Sequence, residues 1–542
     1  MKAAELIQTL QFAKGACAFM AVLLIIGYWL HNRLYKDRSG RATWPLDIAL
    51  IALACVSIAA YFDFWKYPKF RSFMNPHDIY HYYMGSKYSP EVGYLNLYQC
   101  TAVADWESSG KPSTSNFSRI RSMTDYSFEN GGSVVGRADY YRAMFTPARW
   151  EEFKKDCKYF SERLRKSRWQ GVTQDMGYNA TPVWNMIARI FTERISTEST
   201  AGMAFLVSLD LMLVALMTLL ASWAFGWRTG LLALIFFCTC FCMSFTHIRG
   251  GFLRLDWVTM LVMSACFIKK GWWKTAGALM GYAAMARVFP LVFVFGLGSK
   301  FVWDFFRTYR LKKNYMEFFI AFSVTCATFI CLSLIFDGGI QHWRAFAEKI
   351  SLHNNYFAPP RVGFRNIFLM SYAYPPGGWP AYSEQAHQKL QDWKLLWYGI
   401  QGGVLLLCFF ASRKLDDYET IPLGYVPAFL MTAPTFYYHV MLITALFLFL
   451  PKRDQVSRLI GTIGLFLSSI LLFVFIASLQ LNLGFAFRMA CVLLAISVYM
   501  LIVSFTAQPN STLTAQQQQE ETCDPKQTRG SHKGRKKDKR TP

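Results

Sequence analysis

The sequence predicts an all-α polytopic membrane protein, with about 13 transmembrane helices and a large non-cytoplasmic loop carrying interfacial helices. Three observations predict it. Of 542 residues, 53% are hydrophobic and only 17% charged, whereas a soluble globular chain carries about 25% charged residues. Several apolar runs reach the ~18 residues needed to cross about 30 Å of hydrocarbon. Lys and Arg gather in the short segments between those runs, the pattern of cytoplasmic loops. A soluble enzyme, a disordered chain and a disulfide-stapled secreted module are thereby excluded.

In chain order, apolar runs place spans near 15–31 and 46–62, then 201–225, 230–247, 255–268, 274–287, 289–304 and 316–336. Five more lie near 395–411, 418–433, 436–450, 457–478 and 484–506. The first is followed by His31, Asn32, Arg33 and Leu34 rather than by small residues, so it is not read as a cleavable signal. The pair 274–287 and 289–304 contains Gly281, Arg287 and Pro290 and reads as one broken helix or two short ones. Basic residues help decide. They gather at Arg33, Lys36, Arg38 and Arg41, at Lys269, Lys270 and Lys274, and at Arg307, Arg310, Lys312 and Lys313. Two further groups are Arg413 with Lys414 and Lys452 with Arg453. All five fall on one side only if 274–304 enters the membrane and returns. The N-terminus is then outside and the C-terminus cytoplasmic, in a bacterial inner membrane or the topologically equivalent endoplasmic reticulum.

This topology divides the chain into two N-terminal helices (1–62), a non-cytoplasmic loop (63–200) and membrane helices including the broken pair (201–336). A second non-cytoplasmic loop (337–394), C-terminal helices (395–506) and a disordered basic tail (507–542) follow. The net charge of +23 is explained by orientation signals and not by a nucleic-acid partner. The tail's basic run from Lys526 to Arg540, after Gln516–Gln519, suits anionic lipid. Asp156 to Trp169 mixes aromatic and basic residues at roughly helical spacing, as an interfacial helix would. No Gly-rich phosphate loop is present, which argues against cytoplasmic ATP as the energy source.

Most of the 13 cysteines lie in apolar spans. Cys238, Cys240 and Cys242 alternate, so a helix would turn Cys240 away from the other two, and they read as small apolar filler. Cys100 and Cys157 fall in the first outer loop, where a disulfide is open to them in an oxidising compartment.

The densest polar cluster runs Asn75-Pro76-His77-Asp78-Ile79-Tyr80-His81-Tyr82-Tyr83 and continues to Lys87 and Tyr88. On a helix His77 and His81 share one face, with Tyr88 further along it, and Asp78 and Tyr82 share the next. A carboxylate flanked by two imidazoles at a membrane surface suits general-base work or binding of a divalent metal. An aromatic belt would not need His, Asp and Lys together. A second cluster, Asp175 to Trp184, sets an acid beside the turn formers Gly177 and Pro182. It also holds an Asn179-Ala180-Thr181 sequon that Pro182 weakens. Asp105 and Asp125 are further acids between the clusters.

Ionisable residues at membrane depth are informative by default. His247, Arg249, Arg254 and Asp256 surround one outer turn, Arg287 ends the first half of the broken pair, and Tyr437, Tyr438 and His439 follow Pro434 at another. Arg361 and Arg365 lie in the second long loop, near His353 and Asn354. On the predicted topology all open to the same face as Asp78. The result is a basic, His- and Tyr-rich vestibule, in which Arg would grip a phosphate bidentately.

From about residue 46 to 506 the chain resembles the GT-C class of integral membrane glycosyltransferases, which take a sugar from a polyprenyl-phosphate carrier. The resemblance rests on the acid in His77-Asp78-Ile79-Tyr80 soon after an early span, the large outer loop and the short paired spans from Gly281 to Pro290. It implies Asp78 as the base that deprotonates the acceptor hydroxyl. Asp175, or failing it Asp105, would be the second acid, with His77 and His81 beside them. It further implies Tyr82, Lys87, Asp105, Arg249, Arg254, Arg287, Arg361, Arg365, Tyr438 and His439 as substrate contacts. The partners would be a polyprenyl-phosphate-linked sugar and a lipid, glycan or protein acceptor. Two features depart from the class: an extra span precedes the acidic loop, and Asp78 has no adjacent acid. The competing expectations are a transporter or flippase of a lipid-linked or anionic solute, and a non-catalytic scaffold. A transporter should show repeated broken helices, and a scaffold has no use for the Asp78 cluster.

Overall fold

The computed structural model describes residues 3–35, 43–65, 74–110, 116–243, 252–357, 361–479 and 482–507. The basic tail lies outside the described residues, as do Lys36, Arg38, Arg41, His247 and Arg249. The chain is an all-α membrane protein. Its strands among the described residues are one short antiparallel pair, Arg119–Arg121 with Phe128–Asn130.

Among the described residues, eight helices are long and apolar enough to cross a bilayer: Thr9–Leu34, Trp44–Tyr61, Thr200–Phe225, Phe289–Thr308, Lys313–Phe336, Lys394–Ser412, Val456–Ile476 and Leu483–Thr506. The sequence explains their ends. Ser199 caps Thr200–Phe225 by accepting from the Gly202 amide, and Gly226, at φ 91°, stops it in a conformation that only glycine adopts freely. Lys313–Phe336 is apolar all round and turns Ile320, Val324 and Ile335 outward, as a helix facing hydrocarbon does.

The other five expected spans are short or broken. Trp227–Thr239 has 13 residues, and Asp256–Lys269 and Trp273–Ala286 have 14 each. At 1.5 Å per residue, these rise only about 20 Å. The 418–433 run is split into Thr420–Leu423 and Tyr425–Met431, and 436–450 begins with the 3-10 turns of Phe436–Met441. The pair around Arg287 is indeed broken. Arg287 is extended (φ −145°, ψ 125°), and a 3-10 segment, Phe289–Phe293, leads into Val294–Thr308.

Polar contacts collect at two opposite ends of the helix bundle. At one end Arg228 binds Asp47 (2.7 Å), Lys452 binds Asp416 and Glu419 (2.9 Å each), and Lys300 binds Asp417 (2.8 Å). At the other, the two long hydrophilic segments pack on each other. The Ser89 hydroxyl donates to Asp337, Lys349 donates to the carbonyls of Tyr94 and Tyr178 (3.1 and 2.6 Å), and Tyr126 meets His353 (3.0 Å). The first long hydrophilic segment adds an aromatic cluster, including Tyr80, Tyr88, Phe153, Phe160 and Trp169, to a core continuous with that of the helix bundle. The 156–169 stretch spans two helices, Pro147–Arg163 and Lys166–Val172. The longer one buries Trp150, Phe153, Cys157 and Phe160 against the Leu97–Ser108 and Pro76–Lys87 helices. Its apolar face is spent on protein, so the expectation of a membrane-facing interfacial helix is corrected there. Cys100 and Cys157 are both free and buried, and no disulfide joins them.

Candidate functional site

The site is organised by the Pro76–Lys87 helix. Pro76 opens it where its missing N–H is not needed, and the Asn75 side chain caps it by accepting from the His77 amide (3.3 Å). The first turn therefore presents His77 and Asp78 at a fixed angle, and His81 follows one turn on, its ring 5.0 Å from that of His77.

Asp78 and Tyr82 do share a face, and it meets Arg254, a residue 176 positions away in sequence. The Asp78 Oδ2 atom accepts from Arg254 Nη1 (3.2 Å) and from Asn75 Nδ2 (3.0 Å). The guanidinium of Arg254 also lies over the rings of Tyr437 (4.7 Å) and Tyr82 (5.3 Å), an arrangement that favours the flat cation. Its backbone is pinned by a buried acid in the Thr200–Phe225 helix: the Asp210 carboxylate accepts the amides of Arg254 (3.2 Å) and Leu255 (3.0 Å). Leu253, just before, has a positive φ of 53°, a strained conformation held in place by Trp184 Nε1 donating to its carbonyl (2.8 Å).

Arg254, Arg287, Tyr82, Tyr437, Tyr438 and Trp257 line one narrow pocket. Arg287 is buried, lies 5.2 Å over the Trp184 ring and donates to the carbonyl of its neighbour Ala286 (3.1 Å). Its Nε has no hydrogen-bond partner, and among the described residues no carboxylate forms an ion pair with it. The buried Asp256 carboxylate acts on it electrostatically, yet the guanidinium is left short of hydrogen-bond acceptors and keeps a donor open to an anion's oxygens.

The second acid also arrives at the helix. Asp175 Oδ2 lies 3.6 Å from His77 Nε2 and 3.8 Å from His81 Nε2, while its Oδ1 accepts from the Met176 amide (2.8 Å). Partial burial alone would raise the Asp175 carboxyl, but the neighbouring His77 holds it well below the usual carboxylate range. For His77, burial is outweighed by Asp175 and the ring is raised above its ordinary value. His81, fully enclosed, is pushed down and so stays neutral. Its Nδ1 lies 2.8 Å from the His77 carbonyl, which only accepts, so Nδ1 carries the proton and Nε2 accepts from the Tyr98 hydroxyl (2.9 Å). His77, His81 and Asp175 together form a group with metal-ligating spacing, their ligand atoms lying within 4.8 Å of one another.

Other expected contacts are placed elsewhere. Lys87 is 2% exposed and locked to Asp156 and Glu152 (2.7 Å each), while Tyr88 leaves the histidine face and donates to Asp156 (2.7 Å). Lys87 is therefore a structural cation inside the outer segment and not a substrate contact. Asp105 accepts from Trp169 Nε1 (2.9 Å) and Asn116 Nδ2 (2.8 Å), which ties the Leu97–Ser108 helix to the Lys166–Val172 helix and the Asn116 loop and takes it out of the role of second acid. His439 is fully buried between the Val362 carbonyl (3.0 Å) and the Tyr425 hydroxyl (3.3 Å), so it anchors the second outer segment instead of meeting substrate. Arg361 and Arg365 donate to the carbonyls of Tyr356 (3.1 Å) and Asn354 (2.9 Å) and brace that segment. Arg249 lies outside the described residues.

Three participants escape sequence reasoning: Asp210, Tyr98 and Lys349. Asp210 was hidden in an apolar span, although a lone acid there is itself a signal. Tyr98 is one of 28 tyrosines, and nothing local distinguishes it. No known family's sequence pattern matches the chain, nor does any curated protein or solved structure.

Proposed function

We propose that the protein is a membrane glycosyltransferase that moves a sugar from a polyprenyl-phosphate carrier to an acceptor hydroxyl on the non-cytoplasmic face. One observation carries the reading: Asp78 is paired with Arg254 at the edge of a pocket whose second buried cation, Arg287, has an unpartnered Nε and no carboxylate within ion-pair distance among the described residues. Sugar transfer from a phosphate carrier needs a base for the incoming hydroxyl and fixed cations for the departing phosphate. Arg254 and Arg287 would hold that phosphate. As Arg254 turns to it, the Asp78 carboxylate is released to accept the acceptor's proton. The tyrosines around the pocket offer hydroxyls and flat faces to the sugar. The short, aromatic-rich helices beside it offer an apolar groove to the isoprenoid. Asp175 is the second acid of this reading.

The reading carries a topology of thirteen crossings, N-terminus outside and C-terminus cytoplasmic, in a bacterial inner membrane or the endoplasmic reticulum. Its support is the sorting of contacts into two ends. The ion-paired cations Arg228, Lys300 and Lys452 lie opposite the end where both long hydrophilic segments meet. A transporter or flippase of a lipid-linked solute is the alternative. Its support is an acid with an unpaired oxygen at membrane depth: Asp210 is fully used on two backbone amides, but Asp256 is buried with Oδ2 accepting from Tyr282 (2.7 Å) and Oδ1 without a partner among the described residues.

The test is transfer of radiolabelled sugar from a panel of polyprenyl-phosphate sugars by the purified protein and its Asp78→Asn variant. Transfer lost in a variant that remains monodisperse supports the reading. Transfer that persists in the variant removes Asp78 as base, and solute movement without transfer makes the protein a transporter.

A further inference from the structure

We propose that His77, His81 and Asp175 bind a divalent transition metal, with zinc the best fit, in an open three-ligand site on the outer segment. The inference does not rest on the transfer reaction, but it touches that reading at one point: as a ligand, Asp175 would act there through the bound ion and not as a free acid.

The geometry is the argument. Asp175 Oδ2 is 3.6 Å and 3.8 Å from the two imidazole Nε2 atoms. Both separations are too long for a hydrogen bond. Yet the oxygen is aimed at both rings, because its sister Oδ1 is held by the Met176 amide. Ligand atoms bound tetrahedrally at zinc distances of about 2.0–2.1 Å stand about 3.4 Å apart. The carboxylate thus needs to close by only a few tenths of an ångström on each imidazole around an ion, and the full set of ligand atoms already lies within 4.8 Å.

The ring tautomers agree with this. His81 donates from Nδ1 to the His77 carbonyl (2.8 Å), which orients the ring and leaves Nε2 with its lone pair, as the outer support of a zinc-bound histidine does. His77 Nδ1 has no partner among the described residues. The pair sits at positions i and i+4 of one capped helix, so its spacing is rigid. Asp175 comes from a separate loop, and its side chain is 51% exposed, which leaves the site open to solvent on one side. Two imidazoles and one carboxylate suit zinc and its neighbours better than magnesium or calcium, which prefer all-oxygen shells. Tyr98 competes: its hydroxyl donates to the His81 lone pair (2.9 Å), and loading the ion displaces that hydrogen bond.

The experiment uses the full chain in detergent, purified without a histidine tag, stripped with chelator and titrated with Zn2+ alone. Bound metal is counted by mass spectrometry after desalting. One zinc per chain is the expected result. His77→Ala, His81→Ala and Asp175→Asn should each weaken binding by more than about 100-fold, beyond what loss of an outer-shell partner costs. Asp125→Asn, an exposed acid of the same segment that bonds only its own turn through Ser127, should leave it unchanged. Tyr98→Phe frees the His81 lone pair and should bind zinc at least as tightly as the parent. That outcome separates a metal site from general loss of folding. Zinc that stays equally tight in His77→Ala and Asp175→Asn, or weakens in Tyr98→Phe as much as in the ligand variants, overturns the proposal. So does a stripped, monodisperse parent that takes up no stoichiometric zinc.

Discussion

Replacing Lys87 by Met should destabilise the outer segment without any direct effect on substrate binding. The Lys87 ammonium is 2% exposed and the Asp156 carboxylate 4%. Asp156 accepts from Lys87 (2.7 Å) and Tyr88 (2.7 Å) through Oδ2 and from Thr197 (2.6 Å) through Oδ1. The two hydroxyls satisfy the carboxylate's geometry but do not neutralise its charge. Removing one partner of a buried pair leaves an uncompensated charge, at a cost of about 3–5 kcal/mol. Glu152, 43% exposed, also loses a partner but turns to water, so its loss is small. The assay is thermal unfolding in detergent, with limited proteolysis of the 74–200 segment as a local readout. Lys87→Met should lower the apparent melting temperature by several degrees and open that segment to protease. Lys87→Met combined with Asp156→Leu should recover most of the loss, because a buried pair replaced by apolar side chains is often neutral. A Lys87→Met protein with unchanged melting and protease resistance, but a raised KM for the carrier, would refute the reasoning and restore Lys87 as a substrate contact.

Arg254→Ala should abolish carrier-dependent activity by at least about 100-fold, the scale of losing a fixed charge-stabilising donor. Arg254→Lys should recover little of it, because a lysine ammonium cannot span Asp78 and lie flat between Tyr82 and Tyr437. Initial rates at saturating carrier test both. Asp210→Ala orphans the buried amides of Arg254 and Leu255, at about 1–3 kcal/mol each, and should lower melting temperature and activity together. Loss of activity with unchanged melting would instead give Asp210 a chemical role. Lys349, buried against two carbonyls, is lowered to about 7 by burial. Its unfolded value is about 10.4. Between those values the unfolded chain holds a proton that the folded one does not. Stability should therefore rise with pH across that window, by up to about 1.4 kcal/mol per unit, and Lys349→Met should remove that slope. Melting curves between pH 7 and 9.5 decide it.

The membrane class, the long outer segments and the short basic turns were all legible in the sequence, because hydropathy and charge act locally along the chain. The break at Arg287 was visible for the same reason, since Pro290 and a buried-depth cation mark it without reference to anything distant. The Asp78 and His77–His81 faces followed from helical spacing alone, and the vestibule of Arg254, Arg287 and Tyr438 followed from which turns share a side. Only the tertiary structure decided which polar residues gather at the Arg254 pocket and which hold the fold. Lys87 and Asp78 belong to one helix and look equally functional in sequence. Lys87 faces inward to Asp156, 69 positions on, and Asp78 faces Arg254, 176 positions on. His439 and Asp105 were likewise claimed by partners far away in the chain, and Asp175 became part of the histidine cluster because a loop folded back onto a helix formed about a hundred residues earlier. A side chain's chemistry is set by the charges and donors it meets, and those meetings are made by long-range packing, which local pattern does not encode.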